Sequence, residues 1–549
     1  GNHKNIGYFI EYLNYGSEGF KTLESGKNTG FNKNDVVAKL RVQLFPNQAV
    51  KQSLDFKFQY ADEKGNETYL GLSEDDFNTN PFSRYAASNN DKMTTDHTQY
   101  MLTHHLGFSK NLTLTTTFYR NNFARNWYKL NDITFEGDQQ KISNILGDPT
   151  NYSDHFSIVN GTVNSSADAI AVKANNRSYY AQGMQTKLDY HWYTENLFHD
   201  LELGFRYHYD EEDRFQWIDK YSISNTGVLT ETTAGVPGTD ANRISSAKAF
   251  ASYITYKLKY QNWTFTPGVR YEDILLERKD FGKNDITRSG SDLNERENSV
   301  AIFIPGMGAN YKFNNDLSLF GGIHKGFSPP GNKEDEKAEE SINYELGTRF
   351  SLGKLKGEFV GFYNDYSNLL GSDIAATGGT GSLDQFNAGA VKVNGIELLL
   401  NYNMTSEAAR FSFPMSLGYT FTNTEFLNSF GSTDSLWGTV TLGDELPYIP
   451  KHQLNAALSL EHAKFEVNVN ARYNGAFRTL AGSGNIPTDE KVASNFIIDM
   501  SSKYRVTPQF QLTANLTNLL NNTYAVSRVP AGLRPGHPFG IYAGFQYQF

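Results

Sequence analysis

Phe465–Tyr473 reads FEVNVNARY. Phe465, Val467, Val469, Ala471 and Tyr473 alternate with Glu466, Asn468, Asn470 and Arg472. Successive strand side chains point to opposite faces, so the segment predicts a strand with one apolar and one polar face. The same period of two recurs at Ala38–Leu44 (AKLRVQL), Leu54–Tyr60 (LDFKFQY), Leu201–Tyr209 (LELGFRYHY) and Trp263–Tyr271 (WTFTPGVRY). It recurs again at Ile342–Phe350 (INYELGTRF) and Phe539–Phe549 (FGIYAGFQYQF). One such strand fits a soluble sandwich equally well. About twenty in succession, from near Asn5–Tyr15 to Gly540–Phe549, with no apolar run for a central core, predict one large antiparallel sheet.

The connections between strands alternate in length. Short ones carry turn residues at Pro46–Gln48, Ser109–Asn111, Thr194–Asn196, Gln261–Asn262, Asn314–Asp316, Glu461–Ala463 and Val506–Pro508. Long polar ones are expected at Ser17–Asn34, Asp62–Thr95, Ala124–Arg177 and Glu211–Ser246. Others are expected at Arg278–Asn298, Pro329–Glu340, Asn368–Gln385 and Glu425–Pro450. Tight turns at one end and long loops at the other are the layout of an all-β transmembrane barrel, with periplasmic turns and extracellular loops. Tyr and Phe near strand ends, such as Tyr60, Phe118, Tyr271 and Tyr504, fit aromatic girdles at the two interfaces. An even strand number returns both termini to the turn side, and the closing strand is expected to pair with the first, removing an open edge.

Composition narrows the class further. The 549 residues include 39% hydrophobic and 20% charged residues, no cysteine, and 33 Tyr, 39 Phe and 5 Trp. So many aromatics exclude a disordered chain, and the missing cysteine excludes a disulfide scaffold or a thiolate metal centre. No run approaches 18 apolar residues, so helical spans are not expected. A net charge of -10 disfavours nucleic-acid binding. The mean hydropathy of -0.53 is polar because alternation averages a lipid face against a wet one. Gly1–Gly7 (GNHKNIG) does not resemble a signal peptide, so any export signal is expected upstream.

Several motifs resemble those of TonB-dependent outer-membrane receptors. Asn515–Tyr524 (NLTNLLNNTY) followed by Gly536–Phe549 resembles the C-terminal end of that family. Phe303–Phe313 (FIPGMGANYKF), Leu319–Pro330 (LFGGIHKGFSPP), Glu340–Phe350 (ESINYELGTRF) and Val393–Tyr402 (VNGIELLLNY) resemble its mid-barrel signatures, in the expected order. The HKGFSPPG segment and Asn80–Tyr85 (NPFSRY) look most like the ferric-citrate-receptor branch. The resemblance implies an outer-membrane receptor of a Gram-negative bacterium, taking up a ferric siderophore or ferric citrate with energy from the TonB complex. It implies no catalysis and no cofactor, iron arriving only inside a chelated ligand. Family members carry an N-terminal plug and about 22 strands. Residues 1–549 are therefore expected to be a barrel domain of about 20 strands, with the plug and a first hairpin outside it. A porin-like diffusion channel and an interaction scaffold are the alternatives, and outer-membrane lipid and lipopolysaccharide are expected partners of any of them.

Charges at inward positions, among them Lys39, Lys57, Arg270, Asp55 and Glu202, are expected to form a polar inner wall, because a charge in hydrocarbon costs several kcal/mol. By resemblance, Glu345 in NYELG and Glu397 in NGIEL are candidates for plug contacts. An anionic chelate would call for arginine, whose planar fork donates two hydrogen bonds to a carboxylate. Loop and rim candidates are Arg84, Tyr85, Arg120, Arg125, Arg177, Arg206 and Arg214, each with a solvated rim role as its alternative. The acid-rich stretch Asp62–Asp96 cuts against an anionic ligand there. Adjacent His104 and His105 point to opposite faces of a strand, and no histidine has structural-zinc spacing, so no protein-held metal is expected.

Overall fold

The computed structural model describes residues 1–372, 385–405, 410–431 and 437–549. Its main sheet has 23 antiparallel strands, of which Asn2–His3, Asp138–Lys141 and Leu229–Thr233 are short extensions. The remaining twenty follow one another in chain order. They begin with β1 (Ile6–Ser17), β2 (Phe31–Leu44), β3 (Lys51–Gly65), β4 (Lys92–Gly107), β5 (Leu112–Phe135), β6 (Ile170–Thr194) and β7 (Leu197–Ile223). Next come β8 (Ala241–Tyr260), β9 (Trp263–Asp280), β10 (Asn294–Lys312), β11 (Leu317–Ser328), β12 (Glu339–Leu352), β13 (Leu355–Asn368) and β14 (Val391–Asn403). The last are β15 (Pro414–Phe426), β16 (His452–Glu461), β17 (Phe465–Asn474), β18 (Asn495–Arg505), β19 (Phe510–Thr517) and β20 (Gly540–Tyr547).

The sheet curls on itself. The β3–β4 loop meets the β19–β20 loop, where the Gly71 N–H donates to the Ala531 carbonyl at 2.7 Å and Leu72 bridges Leu533. Arg528 and Glu74 pair at 2.8 Å across the same junction. Those loops would be far apart on a flat sheet. Among the described residues the expected pairing of the last strand with the first is not formed: β20 is bonded to β19, and β1 to β2 and its own short extension. Nearly all residues of β1 and β20 are accordingly exposed on both faces.

Alternation sets the two faces of the wall. On β7, Phe205 and Tyr207 are 52% and 56% exposed on the outer face, as is Phe303 on β10 at 65%, the apolar outward band expected of a membrane barrel. Arg206 and Glu202 take the opposite parity on β7. Inner charges pair within the wall: Arg41 with Asp55 at 2.5 Å, Lys187 with Glu202 at 3.2 Å, Arg472 with Asp499 at 2.9 Å. On the turn side, Trp192 stacks on His199 at 4.7 Å and Trp263 on Phe265 at 5.3 Å, forming part of an aromatic girdle.

Strands are longer than the alternation suggests. β5, β6 and β7 have 24, 25 and 27 residues, so much of the expected loops Ala124–Arg177 and Glu211–Ser246 is strand. About ten residues suffice to cross the hydrocarbon, and beyond it the outer face no longer needs apolar residues, so strand reads as polar loop. The expected loops Asn368–Gln385 and Glu425–Pro450 lie partly outside the described residues. Among the described residues three short α-helices ride on the loop side: α1 (Glu74–Thr79), α2 (Ile142–Gly147) and α3 (Ser153–Asn160). With the upper ends of β5–β7 they bury one apolar cluster, including Tyr69, Leu130, Ile133, Ile145, Val159, Ile170 and Val172. The main core of this protein thus sits among its loops rather than inside the barrel.

Candidate functional site

The register of the long strands lines up arginines. Arg125 on β5 lies directly opposite Arg177 on β6, Arg177 opposite Arg214 on β7, and Arg214 opposite Arg243 on β8. Directly opposed residues share a face, so all four take the inner parity. At strand spacings of about 4.8 Å the row spans roughly 14 Å. Arg278 on β9 lies next to its end, and Lys129 and Lys173 form a second opposed pair four residues further up β5 and β6. Arg125, Arg177 and Arg214 stand 13 to 17 residues from the turn ends of their strands. At about 3.3 Å per residue and a tilt of about 40° this lifts them above an apolar band about 25 Å tall.

Like charges placed directly opposite oppose folding. Two guanidiniums about 5.5 Å apart repel by roughly 3 kcal/mol at an effective dielectric of 20. The row is held by embedded acids. Glu212 accepts from Arg177 Nη1 at 3.0 Å and from Arg214 Nε at 2.8 Å, bridging the two middle members. Arg177 and Arg214 are only 6% and 2% exposed. Asn175 accepts from Arg177 Nε at 2.9 Å, Asp280 pairs with Arg278 at 2.8 Å, and Lys173 with Asp240 at 2.7 Å. Arg125 is held more lightly, donating from Nε to the Tyr179 hydroxyl at 3.4 Å.

The pKa shifts report the same crowding. Burial raises the Glu212 carboxyl, but Arg214 and Arg177 outweigh it and hold it below the ordinary glutamate value. Burial, then Arg214 and Arg278, bring the Arg243 guanidinium down to about 10. Burial, then Lys173, lower the Lys129 ammonium to about 8, against the pull of Asp91. Seven cations gathered around Glu212, Asp240 and Asp280 form a surface suited to a multiply charged anion.

The other sequence candidates lie elsewhere. Arg84 is buried, its Nη1 donating to the Asn66 carbonyl at 2.5 Å and its Nη2 to the Ser88 carbonyl at 2.7 Å. The Tyr85 hydroxyl accepts from the Ser73 N–H at 2.8 Å and donates to Asp76 at 2.7 Å, fastening the start of α1. Arg120 takes the outer parity and lies over the Tyr180 ring at 4.7 Å. Arg206 is on the inner wall lower in the barrel, donating to the Tyr119 hydroxyl at 3.1 Å. Glu345 and Glu397 are exposed on the inner wall and form no ion pair among the described residues. Arg243, Arg278, Lys129 and Lys173 were not singled out from sequence. Their signal was cross-strand register, which no single segment carries.

An antiparallel wall with an apolar outer band, long loops and a basic inner rim is the architecture of an outer-membrane-type receptor barrel. The chain belongs to the TonB dependent receptor-like β-barrel family, whose model matches residues 23–519. Members of that family are outer-membrane barrels that serve as transport receptors, not enzymes. The chain is 25% identical over 329 residues to the ferrienterobactin receptor of Escherichia coli K12, a match covering 54% of this chain and 40% of that protein. It therefore spans less than half the length of that relative. Among solved structures it resembles the ferric citrate transporter FecA, with a TM-score of 0.73 and 17% identity over 100% of this chain and 74% of that one. It also resembles the ferric-catecholate import receptor Fiu of E. coli K12, with a TM-score of 0.72 and 14% identity over 100% of this chain and 78% of that one. The siderophore receptor PiuA of Acinetobacter baumannii gives 0.71 and 14% over 98% and 76%. At these identities the likeness is one of fold.

Proposed function

We propose that residues 1–549 form the barrel domain of an outer-membrane receptor that captures an anionic ferric chelate, ferric citrate or a carboxylate siderophore, for uptake driven through TonB. The observation that carries this reading is the opposed row Arg125–Arg177–Arg214–Arg243 on the inner face above the membrane. Arg125, the most lightly held of the four, presents N–H donors to a carboxylate, and the positive charge crowded behind it favours a bound anion. A stabilising role alone would favour alternating charges rather than four arginines in register. The family supports transport over catalysis, and the relatives' own ligands support an iron chelate over other anions. Exposed Glu345 and Glu397 fit contacts with the plug and the coupling step, as in the sequence resemblance.

The test is titration of the purified protein with ferric citrate, read by quenching of intrinsic fluorescence and by calorimetry. Arg125→Ala removes the most accessible member without opening the buried pairs. It is expected to weaken binding by about tenfold, one charge-assisted bond of roughly 1.5 kcal/mol. Unchanged affinity in Arg125→Ala and in Arg243→Ala would place the anion elsewhere.

A further inference from the structure

On β7, Arg214 and Gln216 face one way and Trp217, Asp219 and Tyr221 include the alternate positions that face the other. That second face forms one wall of an open cavity of about 630 Å³, lined on its other side by the β1–β2 and β3–β4 loops. Its character is unlike that of the arginine row. Lys27, Arg84 and Lys92 balance Asp91, Asp219 and Glu231, leaving no net charge to attract an anion. Five asparagines line it, and an amide both donates and accepts. Asn126 carries a buried carbonyl oxygen without a hydrogen-bond partner among the described residues.

The aromatic residues are fixed in place. The Tyr128 hydroxyl donates to Asp219 and meets the Tyr221 hydroxyl, both at 2.7 Å, while Trp217 Nε1 donates to the same carboxylate at 3.3 Å. A short carboxylate–phenol chain thus holds Trp217 at the wall with its indole N–H already engaged. What the lining offers a ligand is Trp217, five asparagine amides and an unpartnered carbonyl.

We propose that this cavity is a saccharide-binding site, separate from the chelate site and taking a neutral, hydroxyl-rich oligosaccharide. Each sugar hydroxyl donates one bond and accepts others, matching a lining that mixes amides, carboxylates and ammonium groups. The C–H face of a pyranose packs on an aromatic face such as that of Trp217. The volume lies within the range of small-molecule pockets. A free anion would instead meet Asp219 and Glu231, and an apolar ligand would bury the Asn126 carbonyl without compensation at a cost of about 1–3 kcal/mol.

The test is a saccharide array probed with the full chain in detergent, holding neutral, dephosphorylated outer-core hexose oligosaccharides of lipopolysaccharide in one set of spots and soluble neutral hexose oligosaccharides in another. Wild type is expected to retain at least one set. Asn126→Ala and Trp217→Ala should each reduce retention at least tenfold while leaving ferric citrate binding unchanged. Heat-modifiable mobility on gels verifies that both variants keep the barrel. Retention confined to the core sugars identifies the membrane's own saccharide as ligand, and retention confined to hexose oligosaccharides identifies a soluble one. No retention by wild type on either set, or retention indifferent to both substitutions, overturns the proposal. Neither outcome bears on the arginine row, whose readout is chelate binding.

Discussion

Glu212→Gln separates a binding role for the arginine row from a purely structural one, because the two roles move different observables in different directions. The carboxylate sits between Arg177 and Arg214, at 3.0 and 2.8 Å, with both guanidiniums almost fully buried. Each contact, at a charge separation of about 4 Å, is worth roughly 4 kcal/mol before desolvation at an effective dielectric of 20. Breaking a buried pair costs about 3–5 kcal/mol net, and Gln retains one oxygen acceptor, so a local loss of about 2–4 kcal/mol is expected. Each 1.4 kcal/mol is a factor of ten. Amide exchange around Asn175–Tyr179, Glu212–Gln216 and Arg243 should therefore accelerate by about 30- to 700-fold, while the membrane-spanning parts of the same strands keep their protection. The anion site changes the other way. Removing one negative charge about 7 Å from a bound carboxylate, at a dielectric near 40, improves binding by roughly 1 kcal/mol, or about fivefold. Hydrogen exchange in nanodiscs and calorimetry with ferric citrate read the two effects independently. Faster exchange with unchanged or weaker anion binding would refute the binding role, and unchanged exchange would refute the bridging role assigned to Glu212. Glu212 is held below its ordinary pKa despite its burial, so its contribution is present above the unfolded value and is lost as pH falls through the folded one. The upper strands should accordingly loosen only in acid below the ordinary glutamate range.

Three further outcomes follow from individual contacts. Asp91 is buried and raised to about 6, its burial only partly offset by Thr68, Arg84, the Leu130 N–H and Lys129, so its contribution is complete below the unfolded value and lost as pH rises through about 6. Exchange in the β3–β4 loop should therefore quicken between about pH 4 and 6, and Asp91→Asn should flatten that dependence. Tyr85→Phe leaves the Ser73 N–H and Asp76 without their shared hydroxyl, costing about 1–3 kcal/mol locally, seen as faster exchange in Glu74–Thr79 with ferric citrate affinity unaltered. Arg120→Ala removes an outer-face stack on Tyr180 and should leave chelate affinity within twofold, measured by the same fluorescence titration.

How far the sequence could be read depended on which physical constraint acted on each residue. In the hydrocarbon every outward position must be apolar and every inward one is free to be polar, so β17, with its FEVNVNARY, announces itself. The turn residues did the same for the short connections, and both termini do lie on the turn side. Above the membrane that constraint lapses. Ala124–Arg177 reads as loop because Asn126, Tyr128, Asn176 and Ser178 are polar on the face where Phe118 is apolar, though β5 and β6 continue past them. The site residues divide along the same line. Arg125, Arg177 and Arg214 were recognisable as arginines at a rim, but their alignment is a property of register, fixed by turns some 13 to 17 residues away. A change of one residue in the turn at Glu195–Asn196 would move Arg177 off Arg214 and onto a neighbour of the opposite face. Arg84 and Tyr85 are engaged with the backbone of their own loop for a different reason. In a loop with its own buried core, a guanidinium and a phenol can serve the backbone as readily as a ligand, and only the packing of Tyr69, Phe77 and Ile158 around them decides it. The row is thus encoded twice, once in residue type and once in strand length, and a deletion within the Glu195–Asn196 turn should abolish anion binding while leaving all four arginines in the chain.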